Sequence, residues 1–398
     1  MSFVAWVIQR STVLGGGTWL PVLPLRVKGV AWSYARLPWP LRSMAPMSAA
    51  EHCSGLQQRI IQIHPTLACN LLCRHCYSSS GPSVKDRLEL KTLCEAVSDA
   101  SVMGYEVVSV SGGEPLMYEG LEQVLAHAKS LGMRTTVTTN GTLSSVNRLS
   151  RLQGCLDLMA ISLDGPPELH NQVRASASAF DRLLAGLENI RSAGFNFGFI
   201  HTLTRQSWEH LLWTAEFAAQ QGASLLQLHP LELTGRAGSL MRVDLPDDDI
   251  LARVYLLTLA LVKKYRGLMA IQLDVFNRDD LMANPELVYA SDLETQPARR
   301  RPASQLGIIV LEADGSVVPL CYGFSKEYEI CNVRIRRLLE AWDSYVEQGY
   351  LAFRKLCREV FQEVCAPAIL PFFNWHEMIV ARSHTPESSE AFKLVAAG

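Results

Sequence analysis

From about residue 58 the chain alternates short apolar runs with longer amphipathic stretches. Runs at Ile60–Ile63, 106–110, 134–138, 156–163, 195–201 and 225–228 predict strands. Between them, 85–103, 120–131, 142–153, 178–193 and 207–221 carry helical apolar spacing, as at Phe180, Leu183, Leu184, Leu187 and Ile190. Gly104, Gly132, Gly194 and Gly222 stand where each helix has to stop before the next strand. Six strand–helix repeats predict an α/β fold of parallel strands joined by right-handed crossovers. A sixth helix starts at Leu245-Pro246-Asp247-Asp248-Asp249 and runs to about Tyr265, and a further strand is expected at 269–275.

The stretch 276–303 has no clear period and reads as a linker ending in Arg299-Arg300-Arg301-Pro302. Beyond it, apolar runs at 306–311 and 317–320 flank Asp314-Gly315, a strong hairpin turn pair. Helical spacing resumes over 335–364, so 304–381 reads as a small α+β unit. The tail at 382–398 is polar, rich in small residues, and expected to be disordered.

Composition narrows the function classes. Apolar residues make up 48% of the 398 and charged residues 19%, enough for a large core. The net charge of −2 argues against a general nucleic-acid binder, which needs a basic surplus. No apolar run reaches the roughly 18 residues of a membrane helix. Ten scattered cysteines without a secretory signal point to a reducing, cytoplasmic setting, where a cysteine cluster serves a metal. Residues 1–50 hold five basic and no acidic residues, and four of the eight tryptophans. They read either as a targeting segment or as a translated upstream stretch before a true start at Met44 or Met47. Pro21, Pro24, Pro38 and Pro40 break any anchoring helix and favour the second reading.

The candidate chemistry sits directly after the first strand. Cys69, Cys73 and Cys76 follow one another at C-x3-C-x2-C spacing in Ala68-Cys69-Asn70-Leu71-Leu72-Cys73-Arg74-His75-Cys76-Tyr77. In parallel α/β barrels the loops after the strands carry the active site. Three thiolates can hold three irons of a cubane and leave the fourth iron open, whereas an electron-transfer cluster takes four cysteines. A zinc site on the Cys73/Cys76 pair is the alternative, but it lacks a second pair nearby.

The triad resembles the radical S-adenosylmethionine (radical-SAM) signature, with the resemblance over about residues 58–235 and the barrel it implies over 58–275. The resemblance implies a partial (β/α)6 barrel in which SAM binds the open iron of a 4Fe–4S cluster. One electron, from a donor such as flavodoxin or ferredoxin, then cleaves SAM to methionine and a 5′-deoxyadenosyl radical. That radical takes a hydrogen atom from the substrate. The remaining SAM contacts are expected at successive strand ends. Ser111-Gly112-Gly113-Glu114-Pro115 resembles the family's GGEP motif, with Glu114 receiving the SAM amino group. Thr138-Thr139-Asn140-Gly141 resembles a TNG segment facing the active site. Ser162 and Asp164 alternate with apolar neighbours and are expected to point inward toward the ribose. Arg174 stands where relatives reach the SAM carboxylate. Glu232 and Arg236, in a P-x-E…GRA ending, are expected at the barrel mouth, and Tyr77 near the adenine. The other histidines are assigned no role.

The later hairpin, with Cys321, Cys331-Asn332-Val333 and Leu339-Glu340-Ala341-Trp342, resembles a SPASM domain. Only Cys321, Cys331, Cys357 and Cys365 remain there, without a C-x2-C pair, so a degenerate cap without iron is expected. A peptide or protein substrate (a maturase) is the first reading. A small-molecule or tetrapyrrole oxidoreductase is the second. A passive iron–sulfur or zinc protein is disfavoured, because such a site needs no SAM pocket.

Overall fold

A computed structural model describes residues 59–292, 301–366 and 371–385. The N-terminal extension, part of the expected linker and the end of the tail lie outside these described residues.

The expected repeats are present. They run β1 (Ile60–Ile63), α1 (Leu90–Val102), β2 (Val107–Val110), α2 (Leu121–Ser130), β3 (Arg134–Thr139), α3 (Val146–Arg151) and β4 (Leu158–Ser162). After β4 come two helices, α4 (Pro167–Val173) and α5 (Ala179–Ser192), then β5 (Phe197–Leu203), α6 (Leu211–Gln221) and β6 (Leu225–Pro230). Two further helices, α7 (Arg236–Leu240) and α8 (Asp248–Lys264), lead to β7 (Ala270–Leu273). The seven strands pair in chain order and in parallel.

Period-two alternation sorts the side chains of each strand between two environments. Ile61, Ile63, Val108, Val110, Val137, Met159, Ile161, Phe199, Leu226 and Leu228 join the main core beneath the helices. On the opposite, concave face Ile60 and Val107 form one small apolar cluster, and Leu158, Ala160, Ile200 and Leu225 another. Further along the same concave positions the residues turn polar: Gln62, His64, Thr136, Gln227 and His229 are all buried. The barrel is thus apolar at one end of its interior and polar toward the strand C-termini, where the chemistry sits.

The stretch 276–303 is more ordered than its lack of period suggested. It holds β8 (Phe276–Asn277) and α9 (Arg278–Ala283), and then α10 (Pro302–Gln305) opens beyond the undescribed residues. The hairpin follows as β9 (Ile308–Leu311) and β10 (Ser316–Pro319), then β11 (Cys331–Asn332), α11 (Leu338–Glu347), α12 (Gly349–Val364), β12 (Phe372–Phe373) and α13 (Trp375–Ser383). The C-terminal unit is continuous with the barrel sheet. Strand β9 lies parallel to β1, with Ile60 opposite Ile308, giving one ten-stranded sheet in the order β11-β10-β9-β1 through β7. Side chains reinforce the junction. Tyr105 donates to the Leu306 carbonyl at 2.9 Å. Arg337 pairs with Asp99 of α1 at 2.6 Å, and β12 pairs with β8. Among the described residues no helix is long and apolar enough to cross a membrane.

Candidate active site

The loop after β1 carries the three cysteines into a cleft at the polar end of the barrel. The cleft is partly open to solvent, and its ≈ 860 Å3 of empty space includes that open part. All three thiols line it, with Tyr77, Gly112, Gly113, Asn140, Ser162, Arg174 and Glu232. Ten of the fourteen residues singled out from sequence therefore meet on one cavity; Glu114, Pro115, Asp164 and Arg236 do not line it.

The two glycines hold the cleft together by close backbone approach. A Cβ on Gly113 would lie 2.2 Å from the Ala68 carbonyl oxygen, and one on Gly112 2.7 Å from that of Thr66. Gly113 N–H donates to Thr66 O at 2.8 Å and Glu114 N–H to Ala68 O at 2.9 Å. The tight approach is thus to the cysteine loop, and it leaves both glycines facing the cleft.

Glu114 departs from its expected place. It is fully buried, and its carboxylate accepts from Leu116 N–H at 3.0 Å, Thr139 Oγ1 at 2.7 Å and Asn140 N–H at 2.8 Å. It ties the end of β2 to the end of β3 and does not face the cleft. Pro115 is buried beside it, at the start of a single 3-10 turn. Asn140, so held, donates to Asn70 Oδ1 at 2.9 Å, and its amide lies 3.9 Å from Cys69 Sγ.

Ser162 faces the cleft, but Asp164 does not. Asp164 accepts from Arg174 Nε at 2.6 Å, with His75 at 3.7 Å and His170 at 4.0 Å. Against the penalty of burial, the Arg174 guanidinium holds the Asp164 carboxyl well below the usual range. Burial likewise lowers both His75 and His170 to about 4, so they stay neutral near pH 7. Arg174 ends α4, a helix that sequence periodicity did not isolate, and its Nη1 lies 3.7 Å from Cys73 Sγ.

Tyr77 donates or accepts with Ser111 Oγ at 3.2 Å and meets Tyr322 edge-on at 5.3 Å. The C-terminal unit thereby packs against the cysteine loop. Arg236 is not at the cleft; its guanidinium donates to the carbonyls of Cys73 and Ser80.

His229 was assigned no role from sequence, and Thr202, which also lines the cleft, was not singled out. Its Nδ1 is 3.0 Å from Asp274 and its Nε2 3.1 Å from Glu232. Burial alone would lower its pKa, but the Glu232 carboxylate and the bond to Asp274 raise it. The same pairing lowers Glu232 to about 2 despite its burial. The only available signal was position: His229 lies two residues beyond Gln227 on the concave face of β6.

Behind this group, Glu377 of α13 accepts from Leu233 N–H at 3.3 Å. Burial, then repulsion from Glu232, pushes it up to about 7. A carboxyl raised in the folded chain is protonated there at a pH where the unfolded chain, near about 4.3, has ionised. Stability is therefore lost as pH rises from about 4.3 toward 7. Glu377→Gln is expected to raise the melting temperature at pH 8 and to change it much less at pH 5. Equal shifts at both pH values in thermal melts would refute the assignment.

The thiols fit an iron–sulfur cluster. Cys69 and Cys73 are buried and pack with Leu71 and Cys76 in a small apolar group. Burial pushes the Cys69 thiol up to about 12 and raises Cys73, so unmetallated they are neutral, while a metal ionises a thiol outright. Donors from Asn140 and Arg174 already point at the sulfurs of Cys69 and Cys73. Among the described residues no group of three or more His, Cys, Asp and Glu converges as a site for a single ion. A cubane does not require such convergence, because each thiolate binds a different iron. The four later cysteines are free: Cys321 after β10, Cys331 in β11, Cys357 inside α12 and Cys365 at its end.

Residues 63–218 match the family model described as the Radical SAM superfamily. Those residues form a Radical SAM domain, the kind found in enzymes that work with a 4Fe–4S cluster and SAM. Over 288 residues it is 28% identical to the Fe-coproporphyrin III synthase of Methanosarcina barkeri, covering 70% of this chain and 71% of that protein. Over 164 residues it is 32% identical to the mycofactocin maturase MftC of Mycolicibacterium smegmatis, covering 40% of this chain and 41% of that one. Streptococcus suis SuiB bound to S-adenosylmethionine superposes with a TM-score of 0.58 at 18% identity, over 77% of this chain and 72% of that chain. That last likeness establishes the fold.

Proposed function

We propose that Cys69, Cys73 and Cys76 hold a 4Fe–4S cluster and that SAM occupies the cleft beside it. The observation that carries this reading is Arg174. It is held by Asp164 at 2.6 Å and lies 3.7 Å from Cys73 Sγ. This sets a fixed cation for the SAM carboxylate next to a cluster ligand. A cluster held by these thiols would supply one electron for reductive cleavage of SAM and so the radical chemistry of hydrogen abstraction. The protein's share is orientation and exclusion of water. Gly112 and Gly113 present backbone to the amino acid part, while Glu114, beside buried Pro115, fixes Asn140 from behind the wall. Ser162 and Asn140 offer hydrogen bonds, Tyr77 packs beside the base, and Glu232 closes the β6 side. A flavodoxin- or ferredoxin-type protein is the electron donor, and a reducing cytoplasm suits the free thiols.

For the substrate, sequence alone put a peptide first. The extent of similarity to the Fe-coproporphyrin III synthase supports reversing that order, and we favour a tetrapyrrole. A peptide remains the second reading, supported by the shorter match to the maturase. Reconstituted protein with dithionite and SAM is expected to release 5′-deoxyadenosine. Titration of Fe-coproporphyrin III is expected to shift its Soret band to saturation. Release of 5′-deoxyadenosine without any Soret shift would overturn the tetrapyrrole reading and favour the peptide. No release from cluster-loaded protein would overturn the reaction itself.

A further inference from the structure

Arg236 was expected beside SAM or substrate, yet it lies on the outer side of the cysteine loop. Its Nη1 donates to the Cys73 carbonyl at 2.7 Å and its Nη2 to the Ser80 carbonyl at 2.6 Å. Its backbone N–H donates to the Cys76 carbonyl at 2.9 Å. The preceding Gly235 makes this possible. It has a φ of +61°, and a Cβ there would fall 2.1 Å from the Tyr77 carbonyl oxygen. One dipeptide after β6 thus reaches the carbonyls of four residues between 73 and 80, two of them proposed ligands.

Other bonds tie the loop as well, among them Asn140 Nδ2 to Asn70 Oδ1 at 2.9 Å and Tyr77 Oη with Ser111 Oγ at 3.2 Å. Cys69 N–H donates to Gly81 O at 3.1 Å, and Arg74 N–H to Val173 O at 2.8 Å. These lie at the loop's start and middle. The Cys73–Ser80 half is closed by Arg236, whose planar fork satisfies two carbonyls with one rigid group. A lysine has no such fork and spans the two carbonyls poorly. The guanidinium also places a fixed positive charge against the backbone of the loop, while Arg174 approaches the Cys73 sulfur.

We infer that Arg236 is a positioning residue that clasps the cysteine loop and sets how tightly the cluster is retained. This rests on the proposed ligation by Cys69, Cys73 and Cys76. Groups that orient metal ligands typically carry about 10–100-fold in metal affinity.

The test compares iron release to a ferrous chelator from reconstituted full-length protein, with dithionite present. Arg236→Ala is expected to release iron about 10–100-fold faster than the unmodified chain, and Arg236→Lys to fall between the two. Melting temperatures of the metal-free chains, taken in parallel, report any general loss of stability. A purely structural role would lower those temperatures and leave the release rates of the folded fraction alike. Equal release rates for Arg236→Lys, Arg236→Ala and the unmodified chain overturn the clasp. Should Arg236→Ala not fold, a release rate for Arg236→Lys equal to the unmodified chain's overturns it alone. Failure of the ligation reading looks different: the unmodified chain takes up no 4Fe–4S cluster, or the triple cysteine variant keeps one.

Discussion

Changing Cys69, Cys73 and Cys76 together to alanine is expected to abolish the 4Fe–4S absorbance and bring 5′-deoxyadenosine formation to background. The variant should still fold. Cys69 and Cys73 contribute only a small apolar group with Leu71 at the edge of the cleft, apart from the main core. Losing a buried thiol there resembles a one-atom truncation, far below the few kcal/mol of a large-to-small core change. Circular dichroism of the variant should therefore match that of the metal-free unmodified chain. Persistence of cluster iron in the triple variant would move the ligands to Cys321, Cys331, Cys357 and Cys365.

Asp164→Ala is the second large effect expected. Asp164 is 1% exposed, and it pairs with an Arg174 that is 7% exposed. Removing one partner of such a pair leaves a buried charge uncompensated and costs about 3–5 kcal/mol. A folded-state pKa held low by this partner contributes stability that is present above the unfolded Asp value and lost as pH falls below it. The difference in urea stability between Asp164→Ala and the unmodified chain should accordingly shrink toward acid pH. A double change, Asp164→Ala with Arg174→Met, is expected to be less destabilising than the sum of the single changes. Full additivity would show that the pair is not coupled. Arg174→Met alone, which keeps the apolar stem, is expected to weaken SAM binding by equilibrium dialysis.

The GGEP resemblance for Glu114 and strand alternation for Asp164 both pointed to ligand contacts. Each instead lies behind the wall and fixes a neighbour that faces the cleft: Glu114 fixes Asn140, and Asp164 fixes Arg174. Strand parity correctly put Ser162 on the concave side. It failed for Asp164 because the strand had already ended at Ser162 and the chain had turned. Arg236 failed for a similar reason. The GRA segment lies near the cleft in sequence order after β6, but the left-handed turn at Gly235 aims the arginine at the loop's backbone.

The cysteine spacing, the glycine pair, the alternating strands and the glycine stops are local properties, written within one element or one turn. Sequence alone therefore determined the α/β repeat, the strand ends around which the cleft opens and the three thiols proposed as ligands. Contacts between residues far apart in the chain leave no such periodic trace. Only the tertiary structure decided that β9 pairs with β1 across some 250 residues of chain, making the C-terminal unit continuous with the barrel sheet. It also decided that Asp274 and Glu232 hold His229 at the cleft, and that Arg236 closes the cysteine loop. Each of these depends on which buried polar group finds a partner once the sheet curves, and burial is a property of the packed chain.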